Sequence, residues 1–151
     1  MLLEEKINQN LKIALIGGDK LTVDTLRGLK SAILYSKVAN NSRDQAMPDD
    51  FLIGLLQKEA KKRQESADLY RKGGSEERAS QELAEKAIIM KYLPTQYSEA
   101  EVAQFVESTI QSMGAKDQTS MAAVINQVRQ RTTGRSDGAV IARIVKEKLG
   151  L

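Results

Sequence analysis

Lys58-Glu59-Ala60-Lys61-Lys62-Arg63 gathers four basic residues around one acid. On an α-helix, residues three and four apart are neighbours, so Lys58, Lys61, Lys62 and Glu65 share one face opposite a leucine stripe. A row of ammonium groups can lie along phosphates and release their counterions, which gives affinity without sequence choice. The same row also serves as the polar side that any amphipathic helix needs, and the residue pattern leaves both readings open. A second basic focus runs from Arg129 to the end, where Arg129, Arg131, Arg135, Arg143, Lys146 and Lys148 face only Asp137 and Glu147. Inside it lies Gly134-Arg135-Ser136-Asp137-Gly138. As structure, Gly134 ends one helix and Ser136 or Asp137 caps the next. As chemistry, flexible backbone beside a helix N-terminus offers N–H groups to an anion, and Arg135 can grip a phosphate in bidentate fashion. Arg143 and Lys146 then stand opposite the apolar stripe of the last helix, with Arg129 and Arg131 just upstream.

Catalysis finds few residues to work with. Histidine and cysteine are both absent, which removes the usual general base at neutral pH, the thiol nucleophile and nearly every nitrogen or sulfur metal site. The acids at Asp49-Asp50, Glu76-Glu77 and Glu99/Glu101 fall in expected first helical turns, where they complement the helix dipole. Gly17-Gly18 and Gly73-Gly74 follow helices and not strands, so no phosphate loop of Walker or dinucleotide type is present. The chain is expected to be no enzyme and to use no metal, cofactor or small-molecule ligand. Aromatic side chains are few, Tyr35, Tyr70, Tyr92, Tyr97, Phe51 and Phe105 with no tryptophan. Several are needed for packing and capping, which disfavours single-strand binding by base stacking and leaves recognition of a folded RNA by shape and backbone.

The elements that must position these residues are helices. Apolar residues recur at helical spacing between glycines, prolines and capping residues. A first helix is expected over residues 2–16, stopped by Gly17-Gly18. A second, capped by Asp19, covers 20–38. Pro48 suits the first position of a third helix that ends at Gly73-Gly74, although Ala46-Met47 stands where a polar cap belongs. Ser75, through its hydroxyl and with Glu76 and Glu77 behind it, restarts a fourth helix that ends at Leu93. Pro94 disfavours helical geometry at Leu93. The next start is complete: Ser98 with Glu101 forms a capping box and Tyr97 packs on Val102 as a staple. Val102, Phe105, Val106 and Ile110 line that fifth helix, Met121, Val124, Ile125 and Val128 the sixth, and Val140, Ile141, Ile144, Val145 and Leu149 the seventh. The expected architecture is all-α, a four-helix N-terminal domain over 1–93 and a three-helix bundle over 97–151, with 94–96 as linker.

With 151 residues, 41% hydrophobic and 28% charged, the chain suits a soluble globular protein with a real core. No stretch approaches a membrane span and the first residues lack signal-peptide order, so a cytoplasmic location is expected. The net charge of +3 is mild, and the basic excess is local.

Taken together, Thr25-Leu26-Arg27 through Ile33, the run from Leu55 to Ser66, Tyr92-Leu93-Pro94, Met113-Gly114-Ala115 and Gly134-Arg135-Ser136-Asp137-Gly138 resemble the YqeY family. That family is related to the C-terminal helical region of the B subunit of the tRNA-dependent amidotransferase, and the resemblance covers nearly the whole length. It implies two α-helical parts and a role in holding tRNA, while the amide-transfer chemistry of the larger subunit lies in a catalytic domain absent here. A carbon–nitrogen ligase label would therefore be inherited from that subunit. The expected function is a non-catalytic tRNA-binding accessory module. The alternative is a module that docks on an enzyme or the translation machinery without nucleic acid. The residues expected to meet tRNA or another folded RNA are Lys58, Lys61, Lys62, Arg63, Arg129, Arg131, Gly134, Arg135, Asp137, Gly138, Arg143 and Lys146.

Overall fold

The computed structural model describes residues 1–151. It is all-α: α1 Leu3–Gly17, α2 Lys20–Ala39, α3 Asp49–Lys72, α4 Glu76–Met90, α5 Glu99–Met113, α6 Met121–Arg131 and α7 Gly138–Lys148, with a 3-10 turn at Gln118–Ser120 leading into α6. The helices fall into two compact units, Met1–Leu93 and Pro94–Leu151.

In the first unit, Ile7, Leu11 and Ala14 repeat at i, i+4 and i+7 on α1, and they meet Val23, Leu26, Leu29 and Ile33 of α2. Leu52, Leu56 and Ala60 of α3 and Ile89 of α4 complete that core. Each large aliphatic residue removed from water contributes roughly 1.5–3 kcal/mol. Farther along, α3 and α4 form the most extensive helix pair. There the buried Ala67 and Ala79 let the two backbones approach closely. The second unit buries Val102 and Val106 of α5, Val124 and Val128 of α6, and Ile141, Ile144 and Val145 of α7, with Ala115.

The helix boundaries show where local signals suffice. Gly18 takes φ +70° after α1, and Asp19 caps α2 by accepting from the Thr22 N–H. Pro48 sits one residue earlier than expected, as the N-cap of α3, and its carbonyl accepts from Leu52 N. The missing polar cap at Ala46-Met47 is supplied from afar. Glu4 of α1 accepts from the Met47 N–H at 2.7 Å, and Asp49 of α3 accepts from the Leu3 N–H at 2.9 Å, so the two helix starts satisfy each other's donors. Ser75 corrects the expectation for α4, because its hydroxyl makes no cap bond; Glu76 instead pairs with Arg71 across the turn at 3.2 Å. Ser98 does cap α5 through the Glu101 N–H. Glu101, however, turns its carboxylate to the Ser98 hydroxyl and not to its backbone, so only half of the box forms. Helix α4 stops at Met90, and Tyr92 and Leu93 continue as hydrogen-bonded turns. No helix is long and apolar enough to cross a membrane.

Candidate nucleic-acid interface

On α3, Lys58, Lys61 and Lys62 are exposed, while Leu52, Leu56 and Ala60 of the same helix face the core. Lys58 and Lys61 have no carboxylate partner, and Lys62 keeps a loose one in Glu59 at 3.5 Å. Arg63 is placed differently. Its guanidinium is bonded to the carboxylate of the buried Glu59 and, at 3.3 Å, to the Glu59 carbonyl, and its side chain is only 17% exposed. It also lies against α2 at Gly28, where an added Cβ would come 3.4 Å from Nη2. Arg63 therefore serves the packing of α3 and stands apart from the exposed lysine row. The i, i+4 spacing of Glu59 and Arg63 was the signal available in the sequence for that pairing.

The glycine-flanked loop of the second unit acts mainly as a clasp. Gly134 takes φ +74°, and its carbonyl accepts from Gln96 Nε2 at 2.9 Å. Arg135 Nε donates to the Thr95 carbonyl at 2.7 Å and Nη1 to the Tyr97 hydroxyl at 2.8 Å, with the guanidinium 3.8 Å above the Tyr97 ring centre. The Tyr97 N–H in turn donates to the Arg135 carbonyl at 2.7 Å. Residues 94–96, expected as a linker, are thus bonded into the second unit. Tyr97, expected as a staple on Val102, packs against the core to which Val102 belongs, with its ring 5.0 Å from Phe105 and stacked under Arg135. Asp137 caps α7 by accepting from the Ala139 N–H at 2.8 Å. The helix start already carries its own carboxylate, and two donor positions of Arg135 are engaged, which leaves this loop poorly disposed toward a phosphate.

Arg131 donates to Thr109 Oγ1 at 3.1 Å and lies over the Phe105 ring. Arg143 bridges Glu99 at 2.7 Å and Glu147 at 3.2 Å, and the hydrogen bond to Glu99 is the main reason its pKa is raised. Lys148 pairs with Glu107. Arg129 and Lys146 are exposed and carry no ion partner. The Arg129 guanidinium lies over the start of α7, where a Cβ at Gly138 would come within 3.0 Å of it. Sequence reasoning thus grouped six cations on this unit, and the folded chain engages Arg131, Arg135, Arg143 and Lys148 while leaving two. The Arg135–Tyr97 pairing had no local signal, because its partners are far apart along the chain.

Two aromatic rings, Tyr35 and Phe51, are exposed, so packing withdraws only the other rings from base stacking. The one carboxyl whose pKa is raised, Glu85, owes this first to burial and then to neighbouring Glu82. It lines neither the cleft bounded by Lys6, Asn10 and Tyr92 nor the one bounded by Val38 and Gln45. No cluster of acids could hold a metal ion.

The family model described as Yqey-like protein matches residues 4–149. The chain belongs to the YqeY family. The match spans both helical units, so the lysine row of α3 and the Arg135 clasp both lie within the YqeY domain. No curated protein matches the chain at a significant level.

Proposed function

We infer that this YqeY-family chain is a non-catalytic accessory module that binds a folded RNA such as tRNA, in two separately folding domains, the four helices of 1–93 and the three of 97–151. The single observation that carries this reading is the row formed by Lys58, Lys61 and Lys62, exposed together on α3, which outnumbers Glu65 on the same face and in which only Lys62 keeps a loose carboxylate partner, Glu59 at 3.5 Å. The second unit carries exposed cations of its own, Arg129 and Lys146. Arg63, Arg131, Arg135, Arg143, Asp137 and the flanking Gly134 and Gly138 support the fold that carries these cations. The resemblance to the tRNA-holding tail of the amidotransferase B subunit points the same way. The absence of histidine and cysteine supports the non-catalytic part.

Titration with tRNA at several salt concentrations tests the reading. Affinity should fall steeply with salt, and the triple variant Lys58→Ala, Lys61→Ala, Lys62→Ala should bind at least tenfold more weakly. Its salt slope should be shallower by about one unit for each phosphate no longer neutralised. Arg129→Ala and Lys146→Ala should weaken binding less. Wild-type affinity for tRNA no better than for random duplex RNA would sink the reading. Turnover of glutamine onto mischarged tRNA by the isolated chain would sink its non-catalytic part.

Docking on a protein is the second reading, and the exposed apolar side chains Ile13, Leu15 and Ile16 of α1 and Leu34, Tyr35 and Val38 of α2 favour it. A pull-down after nuclease treatment should then recover one stoichiometric protein.

A further inference from the structure

In the first unit every pair of helices packs together except α1 and α4. The open seam between them is a groove of about 420 Å³. One wall is the ridge Lys6, Asn10, Ile13 and Gly17, spaced i, i+4, i+7 and i+11 along α1; the other is Ile88, Lys91 and Tyr92 at the end of α4. A single hydrogen bond spans the gap, Asn10 Nδ2 donating to the Tyr92 hydroxyl at 2.8 Å. The small Ala14 lies in the groove, and at Gly17 an added Cβ would meet nothing within 4 Å. Ile13, in the lining, is 61% exposed. An isolated exposed isoleucine is ordinary, but Ile13 facing Ile88 across an open groove forms an unsatisfied apolar surface.

Charge specifies what fits. Lys6 and Lys91 line the groove, and neither is held in a salt bridge. The one carboxylate in the lining, Asp19, accepts from the Thr22 N–H and hydroxyl and is further stabilised by the charge of Lys91, so the groove keeps an excess of positive charge. We propose that the α1/α4 seam receives one amphipathic helix of a protein partner, with aliphatic side chains laid between Ile13 and Ile88 and acidic residues along its flanks against Lys6 and Lys91. Helix-in-groove recognition reads anchors at i, i+4 and i+7, the spacing of the α1 ridge itself. A second copy of this surface would bring lysines against lysines. A lipid bilayer would strip water from Asn10, Thr22 and Asp19 in the groove without replacing their hydrogen bonds.

The proposal rests on the protein-docking reading and is independent of RNA binding. The probe is a synthetic helical peptide with Leu at i, i+4, i+7 and i+11 and Glu on both flanks, compared with a twin carrying Lys for Glu. Titrated into isotope-labelled full-length protein, the Glu peptide should shift amides of residues 6–22 and 88–92. The Lys twin should bind at least tenfold more weakly. Ile13→Glu should abolish binding, and Gly17→Leu should weaken it by filling the groove; unchanged circular dichroism shows that each variant folds. Equal affinity for both peptides, or shifts confined to other surfaces, overturns the proposal. So does preferential, isoleucine-dependent binding to phosphatidylglycerol vesicles, or a wild-type dimer that Ile13→Glu dissociates. In the nuclease-treated pull-down, a partner retained equally by wild type and Ile13→Glu keeps the docking reading and removes this groove from it.

Discussion

Glu59 and Arg63 show how one carboxylate changes what a cation is for. Both sit on the same helix as the exposed lysines, yet their side chains are largely buried and bonded to each other. Glu59→Ala would leave a half-buried guanidinium without its partner, at a cost of about 2 kcal/mol. The measurement is the urea midpoint, with Lys61→Ala as the near-neutral control. Glu4 works over a longer range, one side chain holding three segments. It is bonded to Lys37 of α2 and accepts from the Met47 N–H ahead of α3. Burial pushes its pKa up, but the hydrogen bonds from Lys37 and Met47 and the charges of Lys37 and Lys30 together outweigh burial and hold it below the usual 4.5. Because the folded value is the depressed one, Glu4 contributes stability that is present above the unfolded value and is lost as pH falls through the folded one. Stability measured from pH 6 down to about 3 should therefore decline less steeply in Glu4→Gln than in wild type, with the variant less stable near neutrality.

The end of α1 is decided by backbone geometry. Gly18 has φ +70° with open space around it, so Gly18→Ala should destabilise by about 1 kcal/mol through conformation alone. Its neighbour Gly17 has equal space and no left-handed φ, and Gly17→Ala should be neutral or stabilising by up to about 1 kcal/mol. Chemical denaturation of the pair separates conformational strain from packing, since neither methyl group would meet anything. In the α6–α7 loop the decisive group is a side chain. Arg135 stacks on Tyr97 while donating to Thr95 and to the Tyr97 hydroxyl, a combination that needs a planar fork. Arg135→Ala should destabilise the second unit by about 1–3 kcal/mol, and Arg135→Lys should recover only a small part of it. If Arg135→Ala instead left stability intact and selectively lost tRNA affinity, the loop would be an RNA-binding element and not a clasp.

The two units differ in what holds them. The first buries Ile7, Leu26, Leu29, Leu52, Leu56 and Ile89 among its largest side chains, whereas the second relies mostly on valines. A small unit buries a smaller fraction of its surface, and without cysteine no disulfide compensates. Calorimetry of the full chain should show the second unit melting first, and the 94–151 fragment alone should be helical with a midpoint below that of the 1–93 fragment. A single sharp transition of the full chain, with neither fragment folded, would contradict separate folding.

Helix content and most helix ends were legible in the amino-acid order, because apolar spacing, Gly18, Asp19, Ser98 and Asp137 act within a turn or two of where they stand. The exposure of Lys58, Lys61 and Lys62 follows from the same periodicity, since a residue opposite a leucine stripe has nowhere to go but outward. What periodicity cannot supply is a partner distant along the chain. Glu4 standing in for the absent cap at Met47, Tyr97 taking Arg135, and the gap left between α1 and α4 all depend on which helix lies beside which. Those choices come from packing the apolar faces together, and only after that packing does a cation become either a tie within the fold or a charge free for another molecule.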